Sequence, residues 1–142
     1  MAKEFSLIAD SNPTVYKAYT IASQAYQVGD LVMLSPSAAT VIPATSSSAP
    51  SRVIGVAMSA QVSGDTSLLV CLTTPYQLWA ADVTNTANAA HNLQRMVLTD
   101  KGTVNNTGTD STNAAAVFRQ EGLQAGISTT RIVGRFIEQA SV

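Results

Sequence analysis

Two short stretches of the chain share one pattern of hydrophobic positions. Residues 52–59 have the sequence RVIGVAMS and residues 131–138 have RIVGRFIE, so in each an arginine and two β-branched residues precede a glycine. The alternation that resumes after the glycine is typical of a half-buried β-strand. A glycine inside a strand marks a bulge, a corner or a close approach of two backbones. We therefore predict that Gly55 and Gly134 lie at equivalent places in two related strands.

Similar patterns precede both of these strands. The segments LVMLSPSAATV, residues 31–41, and MVLTDKGTV, residues 96–104, each consist of an apolar run, a small turn and a second run that begins Thr-Val. A polar loop then leads to the strand that contains the arginine and the glycine. Residues 31–59 and 96–138 are thus predicted to be two related strand-hairpin units.

The segments between these units also favour an all-β fold. A turn signal at Gly29-Asp30 precedes the strand over 31–34, and a second turn at 63–66 connects RVIGVAMS to the apolar run SLLVCLTT. After Pro75, the segment YQLWAADV begins another strand. Many short strands separated by glycine, proline and aspartate turns predict a small β-barrel or β-sandwich.

The first 26 residues differ from the rest of the chain. They include three of the four tyrosines, and no helix or strand period runs through them. We therefore divide the chain into an extended N-terminal arm, residues 1–26, and a single β domain, residues 27–142. Apolar residues that no period buries internally are typical of an interface. The candidates for contact with a partner or a second copy are Phe5, Leu7, Ile8, Tyr16, Tyr19 and Tyr26, together with Trp79, which is either a core or an interface anchor.

Composition and charge narrow the classes of function. Charged residues make up 12% of the 142 residues and the net charge is −1, whereas an average globular protein has roughly 25% charged residues. The eight basic residues are scattered along the sequence, which disfavours direct contact with nucleic acid. There is neither an apolar run of membrane-spanning length nor a secretory signal. We expect synthesis in a cytoplasm and no nucleic-acid or membrane partner.

Residues with catalytic chemistry are few. Cys71 lies in an apolar run without a basic neighbour that would lower its pKa, so we expect a buried and unreactive thiol. His91 has no second histidine or cysteine pair with which to bind a metal. Arg52 and Arg131 either bind an acidic partner or, as we favour, are solvated strand ends that discourage unwanted pairing. The sequence predicts no enzymatic activity, no cofactor and no metal.

The combination of GDLVMLS, residues 29–35, with RVIGVAMS resembles the small β-rich decoration (cement) proteins of tailed-bacteriophage heads. The resemblance implies a β-barrel or β-tulip-like fold, binding to the major capsid protein on the outer surface of the virion, and assembly as a homotrimer. On this interpretation the protein is a structural virion protein that stabilises the assembled capsid. The alternative is a glycan- or receptor-binding β module of a head fibre or tail, in which Tyr76 and Trp79 stack on a sugar.

Overall fold

The computed structural model describes residues 4–10, 14–21, 26–35, 39–60, 65–107, 115–124 and 130–137. Within these ranges the chain forms β-strands, two short 3₁₀ turns and no α-helix. The strands are β1 (Phe5–Asp10), β2 (Tyr16–Thr20), β3 (Leu31–Leu34), β4 (Val41–Pro43), β5 (Val53–Ala57), β6 (Ser67–Leu72), β7 (Gln77–Val83), β8 (Arg95–Met96), β9 (Leu98–Asp100), β10 (Thr103–Val104), β11 (Phe118–Leu123) and β12 (Arg131–Phe136). The predicted all-β fold is confirmed. The first half of the predicted turn at 63–66 lies outside the described residues, as does residue 138, the last of the second predicted unit.

The strands form two sheets. Sheet A has the order β8-β11-β12-β7-β10-β9. The strand β7 has a third partner, β1, which lies on the same side of β7 as β10, because β12 occupies the other side. Sheet B has the antiparallel order β2-β6-β5-β3-β4. A bridge between Ile21, just after β2, and Val41 of β4 joins the two ends of sheet B. Sheet B is therefore a nearly closed small barrel, and sheet A packs against its outside.

The two sheets meet at the turn before β3. The amide of Leu31 donates to the carbonyl of Lys101, between β9 and β10, at 2.7 Å, and the amide of Phe5 in β1 donates to the carbonyl of Gly29 at 3.0 Å. Gly29 has a φ of 92°, a conformation that glycine adopts without a steric penalty. The predicted turn at this glycine is confirmed, and it fastens strands of both sheets.

The molecule has two separate hydrophobic clusters, one between the sheets and one inside sheet B. Between sheets A and B lie four aromatic rings, those of Phe5, Trp79, Phe118 and Phe136, which are at most 2% exposed. Their centroids are 5.1 to 5.9 Å apart in edge-on or tilted pairs, an arrangement worth about 0.5–1.5 kcal/mol per pair beyond burial of area. Inside the barrel of sheet B lie aliphatic residues and the ring of Tyr26, whose hydroxyl donates to the carbonyl of Val41 at 3.1 Å.

The described part of residues 1–26 belongs to both sheets, which corrects the prediction of an arm separate from a 27–142 domain. β1 pairs with β7 in sheet A, and β2 pairs with β6 in sheet B. Phe5 enters the core between the sheets, while Ile21 and Tyr26 enter the barrel. A bulge between Leu7 and Ala9 interrupts the alternation of β1. This bulge is the reason that no strand period was recognisable in the sequence.

Gly55 and Gly134 do occupy matching places. Each lies in a strand with two antiparallel neighbours, since β5 is between β3 and β6 and β12 is between β7 and β11. A Cβ atom at Gly55 would overlap the carbonyl oxygen of Cys71, and a Cβ at Gly134 would overlap that of Arg119. Of the three alternatives predicted for these glycines, a bulge, a corner or a close approach, the close approach of backbones is present at both.

The hairpins before these strands are connected differently. Both predicted hairpins are present, as β3–β4 and β9–β10. In sheet B, β3 pairs directly with the glycine-containing strand β5. In sheet A, β10 pairs with β7, and β7 separates the hairpin from β12. The relation between the two units is therefore local and does not extend to the order of strands.

A buried ion pair fastens β1 to the rest of sheet A. Nη1 of Arg131 in β12 lies 2.7 Å from Oδ2 of Asp82 in β7, and the two side chains are 17% and 12% exposed. The same carboxylate oxygen accepts the amide of Glu4 at 2.9 Å, and Nη2 of Arg131 donates to Oγ of Ser6 at 3.2 Å. The sequence led us to expect that Arg131 is a solvated strand end. This expectation is wrong, because the first strand covers the side chain.

We expect Gly55→Ala and Gly134→Ala each to lower the free energy of unfolding by about 1–3 kcal/mol or more, because the added methyl group must displace a neighbouring backbone. Gly122→Ala is the matched control, since Gly122 in β11 has open space where its Cβ would lie. Urea unfolding of the three variants measures the difference. An equal loss in all three would contradict the close approach.

We expect Arg131→Leu to lower the free energy of unfolding by about 3 kcal/mol, because it leaves the buried carboxylate of Asp82 without its counterion. Arg52→Leu is the control, since among the described residues Nη2 of Arg52 donates one hydrogen bond, of 3.2 Å, to the carbonyl of Leu34, which is worth about 1 kcal/mol. Denaturant titrations of the two variants give the comparison. Similar losses would show that the ion pair has no special role.

Candidate functional site

The predicted contact residues do not form one surface. Buried, with at most 2% of their surface exposed, are Phe5, Tyr26 and Trp79. Half-buried are Leu7 and Tyr19, and exposed are Ile8, at 46%, and Tyr16, at 53%. Ile8 lies at the bulge of β1 in sheet A, whereas Tyr16 lies on β2 in sheet B. Only these last two side chains are placed to bind a partner without rearrangement of the core.

Trp79 is a core anchor, the first of the two alternatives that its sequence context left open. The indole Nε1 donates to Oε1 of Gln77 at 3.0 Å, and the ring contacts Phe136 edge-on at 5.8 Å. The residue is 0% exposed. Its faces are therefore occupied by protein and do not present a stacking platform for a sugar.

The exposed strand β2 gives the most open apolar surface near the predicted contact residues. Tyr16 and Ala18 lie opposite Cys71 and Leu69 of β6, so their side chains share the outer face of the barrel. Tyr16 is 53% exposed, Leu69 is 43% exposed, and Val15 just before the strand is 53% exposed. We refer to Val15, Tyr16, Ala18 and Leu69 as the β2 surface.

The backbone edge of β2 adds to this surface. β2 pairs with β6 on one side only, and apart from the bridge at Ile21 its other side has no strand partner among the described residues. Amide and carbonyl groups along such an edge can pair with a strand of another chain. The β2 surface therefore combines unpaired backbone groups with apolar side chains, the two features of a strand-addition interface.

A polar cleft of about 580 Å³ lies where the sheets meet. At its base, the carboxylate of Asp30 is 4% exposed, pairs with Nζ of Lys101 at 3.0 Å, and accepts the amide of Gln27 at 2.8 Å. The opposite charges of Asp30 and Lys101 cancel, and the amide of Gln27 that Asp30 accepts belongs to the turn before β3. Among the described residues, no group of three or more histidine, cysteine, aspartate or glutamate side chains is placed to hold a metal ion.

The two single residues with catalytic potential lie in structural positions. His91 ends the 3₁₀ turn Ala89–His91, which Asn88 caps by accepting the amide of Ala90 at 2.9 Å. Cys71 is 1% exposed and faces the core between the sheets. Burial, with a smaller contribution from the negative charge of Asp10, raises the pKa of its thiol from 9.0 to about 11. The predicted burial of Cys71 is confirmed.

Sequence inspection missed a concentration of positive charge on sheet A. The basic residues are scattered along the sequence, yet Arg119 of β11 lies directly opposite Arg95 of β8 on one side and Arg135 of β12 on the other. The three arginines are 24 and 16 positions apart in the chain. No local signal reveals this row, because only the pairing of strands brings the three side chains together.

No family model matches the chain, and no curated protein sequence matches it. Within the described ranges, no helix has the length and hydrophobicity needed to span a membrane. The function is therefore inferred from the sequence and from the geometry of the surfaces described above.

We expect the Cys71 thiol to lower stability at alkaline pH. Below pH 9 the thiol is neutral in both the folded and the unfolded state. Between pH 9 and about 11 the thiol ionises in the unfolded chain but not in the folded protein. The free energy of unfolding therefore falls as the pH rises through this range. Burial also raises the pKa of Tyr19 and Tyr26, so the informative quantity is the difference between the wild type and Cys71→Ala. The variant should show a shallower decline in urea titrations over this range. Identical slopes, or rapid labelling of the native thiol by a maleimide, would contradict the assignment.

Proposed function

We propose that the protein is a structural virion protein that binds the outer surface of an assembled phage capsid and stabilises it. Three observations support the proposal in addition to the β2 surface. Residues 29–35 and 52–59 resemble phage head decoration proteins, the chain is poor in charge, and it folds as a small all-β protein. The role requires no cofactor, no catalysis, and no contact with nucleic acid or membrane. In this role, the protein is made in the host cytoplasm and then binds to the finished particle.

The observation on which the proposal chiefly rests is the β2 surface. Tyr16 and Leu69 are large side chains that remain 53% and 43% exposed in a protein whose other apolar residues mostly fill two cores. Burying one such side chain contributes about 1.5–3 kcal/mol. The edge of β2 that no strand of the described residues pairs with supplies hydrogen bonds for a strand of the major capsid protein. A partner bound here would gain from both sources without displacing any core residue.

Binding to an assembled shell is enough to stabilise it. A ligand that binds only the assembled state adds free energy in proportion to the logarithm of its concentration over its Kd, about 2.7 kcal/mol at a hundredfold excess. Many copies on one particle multiply this effect. A modest interface such as the β2 surface is therefore sufficient, and a small protein without an active site meets the requirement.

The proposed assembly is a homotrimer at the junctions between capsid subunits. Closed symmetric assemblies are the common form of soluble oligomers, and decoration proteins of the kind that this chain resembles often adopt three-fold symmetry. In a trimer each copy presents one β2 surface, so three weak contacts act together. Linked contacts of this kind raise the overall affinity well above that of each contact alone.

The alternative, a glycan- or receptor-binding module of a head fibre or tail, has less support in the fold. In this alternative, Tyr76 and Trp79 stack on a sugar. Tyr76 is 63% exposed, but Trp79 is 0% exposed and held by its hydrogen bond to Gln77. A single exposed tyrosine is a poor platform for a sugar compared with the continuous β2 surface, which is why we favour the capsid.

The test is decoration of phage heads that lack the protein. We expect the wild type to saturate the heads and to raise the temperature at which they disrupt. The double variant Y16S/L69S should bind at least tenfold more weakly, because two apolar side chains no longer leave water. The matched control is Y76S/L93S, which removes two residues with 63% and 60% exposure that lie outside the β2 surface.

Each outcome of this experiment is decisive. Full occupancy by the Y16S/L69S variant would exclude the β2 surface as the contact. Failure of the wild type to bind heads, combined with binding on a glycan array, would replace the proposal by the alternative. Analytical ultracentrifugation of the free protein and counting of copies on the particle test the trimer separately, since a monomer would leave the capsid contact intact.

A further inference from the structure

Three arginines form a row across the outer face of sheet A. Arg95, Arg119 and Arg135 occupy directly opposite positions on β8, β11 and β12. Neighbouring strands are about 4.8 Å apart, so the three side chains start within about 10 Å of one another. In each strand a residue directly adjacent to the arginine, Met96, Phe118 or Phe136, is buried in the core. The arginines therefore point away from the core.

The positive charge of this row is only partly balanced. Like charges at directly opposite positions destabilise a sheet. Within the described part of the chain, the one carboxylate that these guanidinium groups pair with is that of Glu121, whose Oε1 lies 2.6 Å from Nη2 of Arg119 and 3.4 Å from Nε of Arg135. Three positive charges thus share one negative charge, and no described acidic residue pairs with Arg95.

The row borders a small pocket. It has a volume of about 180 Å³ and is lined by the three arginines together with Pro75, Phe136 and Ile137. Pockets for complete small-molecule ligands have volumes of about 300–1,000 Å³, so this one has room for a single functional group. Apolar atoms form part of its wall, and a lower local dielectric strengthens the attraction between guanidinium groups and an anion.

We propose that this pocket binds the carboxylate of an aspartate or glutamate from an acidic segment of a partner protein. The planar guanidinium group binds a carboxylate through two parallel hydrogen bonds. Glu121 shows that this face of the sheet holds a carboxylate, because Arg119 and Arg135 both contact one of its oxygens. A second carboxylate in the pocket would pair with Arg95 and lower the net positive charge of the row further.

An acidic protein segment fits these observations better than nucleic acid. A phosphate backbone is bound by a series of cationic contacts along its length, whereas the row spans three strands and the chain as a whole has a net charge of −1. The pocket lies on sheet A and shares no residue with the β2 surface of sheet B. The proposal therefore stands or falls independently of the capsid role.

The experiment uses a hexaglutamate peptide as the probe and hexaglutamine as its uncharged counterpart, titrated into the full chain at low salt by calorimetry or NMR. We expect saturable binding of hexaglutamate alone, at least tenfold weaker in Arg95→Gln. Arg52→Gln is the matched control, since it makes the same change of charge at an arginine that hydrogen-bonds Leu34, outside the pocket. Glu121→Gln should tighten binding, because it removes the internal carboxylate, whereas Asp65→Asn should change it little.

Three results would overturn the proposal. The first is equal weakening of hexaglutamate binding in the Arg95 and Arg52 variants, and the second is no tightening of that binding in Glu121→Gln. The third is binding of a ten-residue oligothymidylate in place of hexaglutamate, which would assign the row to phosphate. Arg95→Lys serves as the second variant if Arg95→Gln proves unstable. It keeps the charge but loses the paired hydrogen bonds, so it should bind hexaglutamate more weakly than the wild type.

Discussion

The carboxylate of Asp82 is the point at which three strands of sheet A are joined. It lies in β7, pairs with Arg131 of β12, and accepts the amide of Glu4, 78 residues earlier in the chain. A buried charge of this kind is tolerated only when its partners are all present. By holding the start of β1 in place, the pair positions Phe5 between the rings of Phe118 and Phe136. An electrostatic contact at the margin of the main core thus adds to the strand pairing that holds Phe5 in place.

Features that depend on neighbouring residues were predictable from the sequence. The strand at 31–34 after Gly29, the two glycine-containing strands, and the burial of Cys71 all follow from local alternation, turn chemistry and apolar runs. The glycines are informative because a missing Cβ has a single structural reason here, the approach of a carbonyl from the adjacent strand. The same local signals identified both hairpins, although they could not show that one joins its glycine strand directly while the other is separated from it by β7.

Features that depend on distant pairing were not predictable. The bulge at Leu7 shifts the alternation of β1, so residues that belong to a core looked like an arm. Trp79 has the same sequence context whether it fills a core or an interface. The arginine row arises only when β8, β11 and β12 align. Such features are set by strand order, which a local pattern of polar and apolar residues does not specify.

The joining of the first and last described strands has a consequence for how the protein is made. The contacts of β1 are complete only after Arg131 of β12 has been synthesised, because the arginine that contacts Asp82 and Ser6 comes near the end of the chain. Folds dominated by such non-local contacts form slowly, in milliseconds to seconds. During synthesis, Phe5 and the rest of β1 remain without their final neighbours until most of the chain has left the ribosome. The nascent chain therefore exposes an unpaired apolar strand for seconds, a period in which chaperone binding would protect it from aggregation.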